Sequence, residues 1–262
     1  MCLVLVGYHA HPNYPLIVAA NRDEFYDRPT TPAAFWEDTP HVLAGRDEQA
    51  GGTWMGITRQ GRWAAITNYR DPSARHDDAP SRGHLVADYL IEASSASTYI
   101  HEVATHGAQY NGFNILVGTP NELMYYSNRG GGVRTIPHGV HGLSNHLLNT
   151  AWPKVERGQR KLHRLIEKKS PLDVEQLLDL LNDTEAPDDE RLPDTGVGLA
   201  GERLLSPMFI KGDNYGTRSS TVLLVDASHH VTFVERTFED GVRTMTQQYD
   251  FDLAAVDVDE AI

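Results

Sequence analysis

Four times along the 262-residue chain, two short runs rich in β-branched and aliphatic residues stand either side of a turn signal, and this recurrence leaves few architectures open. Leu3-Val4-Leu5-Val6 and Leu16-Ile17-Val18-Ala19-Ala20 are separated by His11-Pro12-Asn13-Tyr14-Pro15. Trp54-Met55-Gly56-Ile57 and the run from Trp63 to Asn68 flank a connection in which Gly61 can take positive φ. Phe113 to Gly118 and Glu122 to Ser127 flank Thr119-Pro120-Asn121, and Thr221 to Val225 and Val231 to Glu235 flank Asp226 to His230. Each pair predicts an antiparallel hairpin, and a last strand is expected from Arg243 to Phe251. Hairpins interrupted by helical segments suit antiparallel sheets layered with helices, and not a βαβ alternation. No internal repeat and no shift of composition marks a boundary, so residues 1–262 read as one domain, with 254–262 a small, acidic tail expected to fray.

Two stretches change period. Ser81 is placed to cap a helix carrying Leu85, Val86, Tyr89 and Leu90 on one face. From Trp152 to Lys168, Val155, Leu162, Leu165 and Ile166 form an apolar stripe, while Lys154, Arg157, Arg160, Lys161, Arg164 and Lys168 predict a solvated basic exterior. Ser170-Pro171 then reads as the start of a further helix burying Leu172, Leu177, Leu178 and Leu181. Asp183 to Gly201 has no period and predicts a long loop, of the kind that serves as a lid or a mobile segment.

Charge and cysteine usage exclude several functions. With 36 Asp and Glu against 23 Lys and Arg, a formal net charge of −13 leaves no surplus of cations for a phosphate backbone, so nucleic acid is not expected. One cysteine forms neither an internal disulfide nor a multi-thiolate zinc site and suits a reducing, cytoplasmic compartment. The apolar start lacks a basic flank and no later run reaches a membrane span, so membrane insertion is not expected either. Among the 13 histidines, His9 and His11 fall on one strand face and His229-His230 in a turn, but no metal-ligand spacing appears and no bound catalytic metal is expected. A small-molecule ligand remains the natural partner, with the oligomeric state open.

The position of the lone cysteine is the most informative chemical fact. If Met1 is removed, Cys2 carries a thiol and an α-amine on adjacent atoms, and one residue supplies both nucleophile and base, the amine having an ordinary pKa near ~8. Asn21-Arg22-Asp23-Glu24 follows an apolar strand directly, and such a polar run needs partners or solvent. Arg22 can hold a thiolate or a substrate carboxylate, and Asp23 can orient an α-ammonium. On a regular strand Arg22 and Asp23 face opposite ways while Asn21 and Asp23 share a side, so all three meet one pocket only where the strand ends or bulges. Asn68, Tyr69, Asn114 and Asn145 stand where apolar runs begin or stop, as turn formers or as neutral donors to an oxyanion. Gly51-Gly52-Thr53-Trp54 makes either a tight turn or a close backbone approach to a ligand with Trp54 as a wall, and Arg218 stands among small residues as a charge clamp or a hairpin closure.

These residues carry a family resemblance. Met1-Cys2, Ala20-Asn21-Arg22-Asp23-Glu24-Phe25-Tyr26 with Arg28-Pro29, Gly51-Gly52-Thr53-Trp54, Thr67-Asn68-Tyr69, Tyr110 to Asn114, Gly142-Leu143-Ser144-Asn145 and Tyr215-Gly216-Thr217-Arg218 resemble the NRDE family, that of the transport and Golgi organisation protein. The family is similar in turn to the N-terminal-nucleophile hydrolases, which implies an α+β, four-layer αββα fold with two antiparallel sheets between helical layers. The resemblance implies Cys2 as nucleophile, Asn68 and Asn145 as pocket asparagines and Arg218 as a late arginine of a cysteine amidase acting on a linear carbon–nitrogen amide bond. Asn21, Trp54, Tyr69 and Asn114 would line the substrate site. In the related amidases the arginine and aspartate are separated by two residues, whereas Arg22 and Asp23 are adjacent. No cofactor is implied for an amidase. The alternative is a non-catalytic carrier or chaperone for haem or a lipid-like acyl ligand, with Cys2 or a histidine as axial ligand; an interaction scaffold is the third. As an amidase, Cys2 is expected to ionise easily beside Arg22, with Arg218 flanking it.

Overall fold

The computed structural model describes residues 2–74, 76–92 and 94–254. Met1 lies outside the described residues, as does the expected tail apart from Ala254, whose N–H donates to the Arg59 carbonyl at 2.8 Å. The strands are β1 (Cys2–His11), β2 (Tyr14–Phe25), β3 (Thr30–Phe35), β4 (Val42–Asp47), β5 (Met55–Thr58), β6 (Trp63–Asn68), β7 (Phe113–Thr119), β8 (Glu122–Ser127), β9 (Arg134–Thr135), β10 (Gly139–Leu143), β11 (Tyr215–Val225), β12 (His230–Glu239) and β13 (Val242–Asp252). The helices are α1 (His84–Ile91), α2 (Ala96–His106), α3 (Pro153–Ile166), α4 (Val174–Leu181) and α5 (Gly198–Leu205).

Two antiparallel sheets result, with strand orders β10-β1-β2-β11-β12-β13 and β3-β4-β5-β6-β7-β8-β9. All four predicted hairpins form, as β1-β2, β5-β6, β7-β8 and β11-β12, and the final strand is β13. Strand periodicity sorts the side chains into layers. Val4, Val6, Val18, Ala20, Leu223 and Phe233 of the first sheet meet Leu43, Ile57, Trp63, Ala65, Leu116 and Tyr125 of the second. The opposite face of the first sheet, Leu3, Leu5, Ile17, Ala19, Val222 and Leu224, packs on α3 and α4. The outer face of the second, Val42, Ala64, Ile66, Ile115 and Val117, packs on α1 and α2. The layering is therefore helix, sheet, sheet, helix, and both faces of the central strands are buried. That is why Leu3 to Val6 and Leu16 to Ala20 read as continuous apolar runs.

Several sequence expectations are corrected. Lys154 belongs to no basic exterior: it is 2% exposed. It heads the row Lys154, Gly158, Leu162 that faces the first sheet, and Gly158 lets the helix close on β1, since a Cβ there would come 2.8 Å from Leu5. The helix after α3 starts at Val174 and not at Ser170, because the Asp173 carboxylate accepts from the Glu175 N–H at 2.9 Å and caps it. Within the expected loop from Asp183 to Gly201 the chain makes a 3-10 turn, Asp189–Arg191, and enters α5. Leu199 and Leu204 of that helix are exposed, so it shows no apolar period. The β1-β2 register shifts between Tyr8 and His11, where His9 is exposed at φ 44° and His11 is buried, and both histidines line one surface cavity. Gly51 takes φ 79° and a Cβ on Gly52 would lie 2.4 Å from the Gly83 carbonyl carbon, so this glycine pair lets two backbone segments meet.

Candidate active site

Cys2 opens β1 and is 7% exposed. In the ladder it stands opposite Arg22 on β2, and Arg22 stands opposite Ser219 on β11. Directly paired residues of an antiparallel ladder share a face, so Cys2 and Arg22 both look into the layer between the sheets. Arg22 Nη1 donates to Thr30 Oγ1 at 3.2 Å. The adjacent strand ends are tied to the same spot. Ser144, just past β10, donates its Oγ to the Cys2 carbonyl at 3.1 Å. Asn145 Nδ2 donates to the Asn68 carbonyl at the end of β6, at 2.9 Å, and the Arg70 N–H donates to the Asn145 carbonyl at 2.7 Å. The ends of β1, β10 and β6 thus converge beside the cysteine although they belong to different sheets.

Asn21 and Asp23 lie on the helix-facing side. Asn21 is a structural tie: its Nδ2 donates to the carbonyls of Leu181 at 3.0 Å and Met208 at 2.8 Å, and its Oδ1 accepts from Ser220 Oγ at 2.6 Å. Asp23 Oδ1 accepts from Thr217 Oγ1 at 2.7 Å, and the Tyr215 hydroxyl donates to the Asp23 carbonyl at 2.9 Å. The bulge that sequence reasoning asked for occurs on the neighbouring strand, where the β2-β11 register shifts between Thr217 and Ser219. Arg218 occupies that bulge. Its Nη1 donates to the carbonyls of Phe25 and Tyr26, both at 2.9 Å, and of Arg28 at 3.2 Å, so the guanidinium closes the turn after β2.

The remaining candidates spread outward. Asn114 is fully buried in the second sheet, donating to Thr67 Oγ1 at 3.1 Å and accepting from the Tyr125 hydroxyl at 2.8 Å. Tyr69 meets His146 through a 2.8 Å contact between its hydroxyl and Nε2. Trp54 is half-buried and packs against both the inter-sheet and the α1/α2 cores. The structure therefore gathers Cys2, Arg22, Asp23, Asn68 and Asn145 at one end of the sandwich, while Asn21, Asn114, Trp54 and Arg218 make contacts that hold the frame.

Sequence reasoning missed a buried ionic group behind this constellation. Lys154 Nζ donates to the Leu205 carbonyl at 2.9 Å. Arg70 Nη1 meets Glu202 Oε2 at 2.8 Å with both side chains buried, and its guanidinium lies 4.9 Å from the Trp152 ring centre. Glu202 Oε1 accepts from the Thr195 N–H and hydroxyl. Burial dominates the titration of these groups. It pushes the Asp23 carboxyl up against the opposing charge of Lys154, and it pushes Lys154 down to about 8 although Asp23 favours its ammonium. The Cys2 thiol is also pushed up, because burial outweighs Arg22 while Asp23 and Glu24 add to it. The expectation of a readily ionised thiol is corrected accordingly. Lys154 was detectable as the head of the row shared with Gly158 and Leu162; Glu202, on a helix with no apolar period, carried no such signal. Among the described residues no three His, Cys, Asp or Glu are grouped to hold a metal ion, and no helix is long and apolar enough to cross a membrane.

Two antiparallel sheets between helical layers make an N-terminal-nucleophile-hydrolase-like fold. Solved structures show the same fold. A variant of the conjugated bile acid hydrolase from Clostridium perfringens superimposes with a TM-score of 0.52 at 10% identity, covering 98% of this chain and 100% of its own. The Caenorhabditis elegans N-acylethanolamine-hydrolyzing acid amidase ortholog gives 0.51 at 13% identity, covering 85% and 92%. The chain belongs to the Transport and Golgi organisation 2 family, whose model matches residues 1–240. The Transport and Golgi organization 2 homolog of Mus musculus is 38% identical over 279 residues, 97% of this chain and 99% of the relative, and the Homo sapiens homolog is 36% identical over the same shares.

Proposed function

We propose that this chain is a cysteine amidohydrolase of the N-terminal-nucleophile type, cleaving a linear carbon–nitrogen amide bond of a small molecule in the cytoplasm. The observation that carries the reading is the placement of Cys2, at the head of an inner strand, directly opposite Arg22, with its carbonyl fixed by Ser144. Removal of Met1 would release the Cys2 α-amine next to the thiol. A thiol raised by burial suits this arrangement: it reacts by handing its proton to that amine as sulfur attacks, and needs no standing thiolate. Asn68 and Asn145 are the proposed neutral donors to the oxyanion. Arg22, held at one nitrogen by Thr30, would offer its other N–H groups to a substrate oxygen, and Asp23 would orient the amine. Tyr69 would line the substrate site. Collapse of the tetrahedral intermediate breaks the C–N bond, the leaving nitrogen takes the proton, and water then hydrolyses the thioester.

The test is turnover of a panel of acyl amides by wild type and Cys2→Ala. Hydrolysis that disappears in the variant supports the reading. No turnover by wild type, together with saturable haemin binding that depends on Cys2 or a histidine, would favour a non-catalytic carrier instead.

A further inference from the structure

Charge, and not hydrocarbon, holds α5 to the protein. A surface helix ordinarily keeps its place with an apolar stripe, but α5 buries one residue, Glu202, and leaves Leu199 and Leu204 exposed. Glu202 Oε2 meets Arg70 Nη1 at 2.8 Å, and the last carbonyl of the helix, that of Leu205, accepts from Lys154 Nζ at 2.9 Å. Arg70, Trp152, Lys154, Pro193, Glu202 and Leu205 line one cavity of about 10 Å³, room for a single water at most, so the helix itself fills the space beside the two cations. The receiving side is fixed without α5. Lys154 heads α3, which Gly158 lets close on β1; Trp152 precedes that helix, with the Arg70 guanidinium 4.9 Å from its ring centre; and the Arg70 N–H donates to the Asn145 carbonyl at 2.7 Å. The entry to α5 is open by comparison. Gly196 and Gly198 take φ 85° and 74° with nothing within 4 Å of an added Cβ, and no side chain caps the first turn. A further ion pair of the helix, Arg203 with Asp189, lies in solvent.

An anchor of this kind can be exchanged. An apolar anchor resists leaving because it would carry hydrocarbon into water, whereas a departing carboxylate regains its hydration. What it leaves behind is a pair of cations without their counter-charge, a costly state until another anion arrives. We propose that Arg70, Lys154 and Trp152 form a binding site for a small carboxylate ligand, that Glu202 occupies it as an internal stand-in, and that the ligand enters by exchanging with Glu202 as α5 swings out on its two glycines. The incoming carboxylate takes Arg70 on one oxygen and Lys154, released by the Leu205 carbonyl, on the other, while the Trp152 ring covers its stem. No covalent bond changes in the exchange. The site adjoins the candidate nucleophile through the backbone: the Asn145 carbonyl holds the Arg70 N–H, and the neighbouring Ser144 donates to the Cys2 carbonyl at 3.1 Å. Carboxylate binding there requires neither removal of Met1 nor amide hydrolysis.

Propionate reproduces the end of a glutamate side chain and serves as the probe. Amide hydrogen exchange across residues 198–206 is followed in the full-length protein against propionate concentration, with propionamide as the uncharged isostere and sodium chloride at matched ionic strength. The measurement is made at pH 7, below the value of about 8 to which burial pushes Lys154, so that both cations are charged. Propionate is expected to speed exchange in α5 of wild type along a saturable curve, and neither control should do so. Calorimetry of Glu202→Gln should then show propionate binding about tenfold tighter than to wild type or better, because the apparent affinity of wild type is reduced to the fraction of molecules in which the site is vacated. Arg70→Met should lose the response. Unchanged α5 exchange in wild type, at propionate concentrations that saturate Glu202→Gln, makes Glu202 a fixed structural anchor and overturns the inference. So does a folded Glu202→Gln that propionate does not bind, or a response retained in Arg70→Met. Should the variants not fold, wild type decides alone: exchange that responds equally to propionate, propionamide and chloride overturns the inference, and a response to propionate only supports it. Acyl-amide turnover is no part of the readout, so the amidohydrolase reading can fail without this one, and this one without it.

Discussion

Glu202 offers a sharp test of how the site is held. It reaches in from α5, outside the two sheets, and its carboxylate takes Arg70 at 2.8 Å on one oxygen and the Thr195 N–H and hydroxyl on the other. The two side chains of the pair are 6% and 4% exposed, so neither charge has water to fall back on. Removing one partner of such a pair leaves an uncompensated buried charge, at about 3–5 kcal/mol. At ~2–4 °C per kcal/mol for a domain approaching this size, Glu202→Ala should lower the Tm by roughly 6–20 °C. Urea unfolding followed by tryptophan fluorescence suits the measurement, because Trp152 lies beneath Arg70. The double variant Arg70→Met/Glu202→Leu removes both charges and should recover much of the loss. Arg203, one residue along the helix, also makes an ion pair, with Asp189, but in solvent; Arg203→Ala should leave the midpoint where it is. A loss in Glu202→Ala below ~1 kcal/mol, the range of exposed pairs, would refute the account of this helix as an electrostatically anchored part of the site.

Gly52→Ala would set a methyl 2.4 Å from the Gly83 carbonyl carbon and 2.6 Å from its oxygen, and should cost on the order of 1–3 kcal/mol or more in urea unfolding; wild-type stability would contradict the close approach. Glu235 is buried between the sheets, its Oε1 accepting from the Ala33 N–H at 2.7 Å, and burial raises its carboxyl above the unfolded value despite that bond and Arg22. A raised carboxyl gives a penalty that is present above its folded pKa and vanishes below its unfolded one, so Glu235→Gln should gain on wild type as pH rises from 5 to 8, and a pH-independent difference would reject this. Arg218→Met should loosen the turn at residues 25–28 whose carbonyls Arg218 holds, seen as faster amide exchange there; unchanged protection would count against that role.

The fold was largely readable because its strands announce themselves twice, by apolar runs and by turn residues. β3 and β4 escaped, as Thr30–Phe35 carries a proline and a register shift and Val42–Asp47 ends in charged residues. α2 escaped because Tyr99, Ile100 and Val103 are its only large buried residues. The candidate site was readable where its residues are marked locally in sequence, as at Cys2, Arg22 and Asp23. It was not readable where partners are brought from afar: Lys154 and Glu202 lie 131 and 179 residues from Asp23, and a single sequence assigns no partner to a charge on a helix. Arg218 shows the converse, since an arginine among small residues looks alike whether it faces a ligand or three backbone carbonyls.

The central claim is that Cys2 is a processed N-terminal nucleophile, and mass spectrometry of the acid-quenched protein after exposure to acyl amides addresses it most directly. The account predicts an N-terminal peptide that begins at Cys2 and carries an acyl group released by hydroxylamine, as a thioester would be. A peptide that still begins at Met1, or a processed peptide that never acquires the acyl group while the amides remain intact, would contradict it.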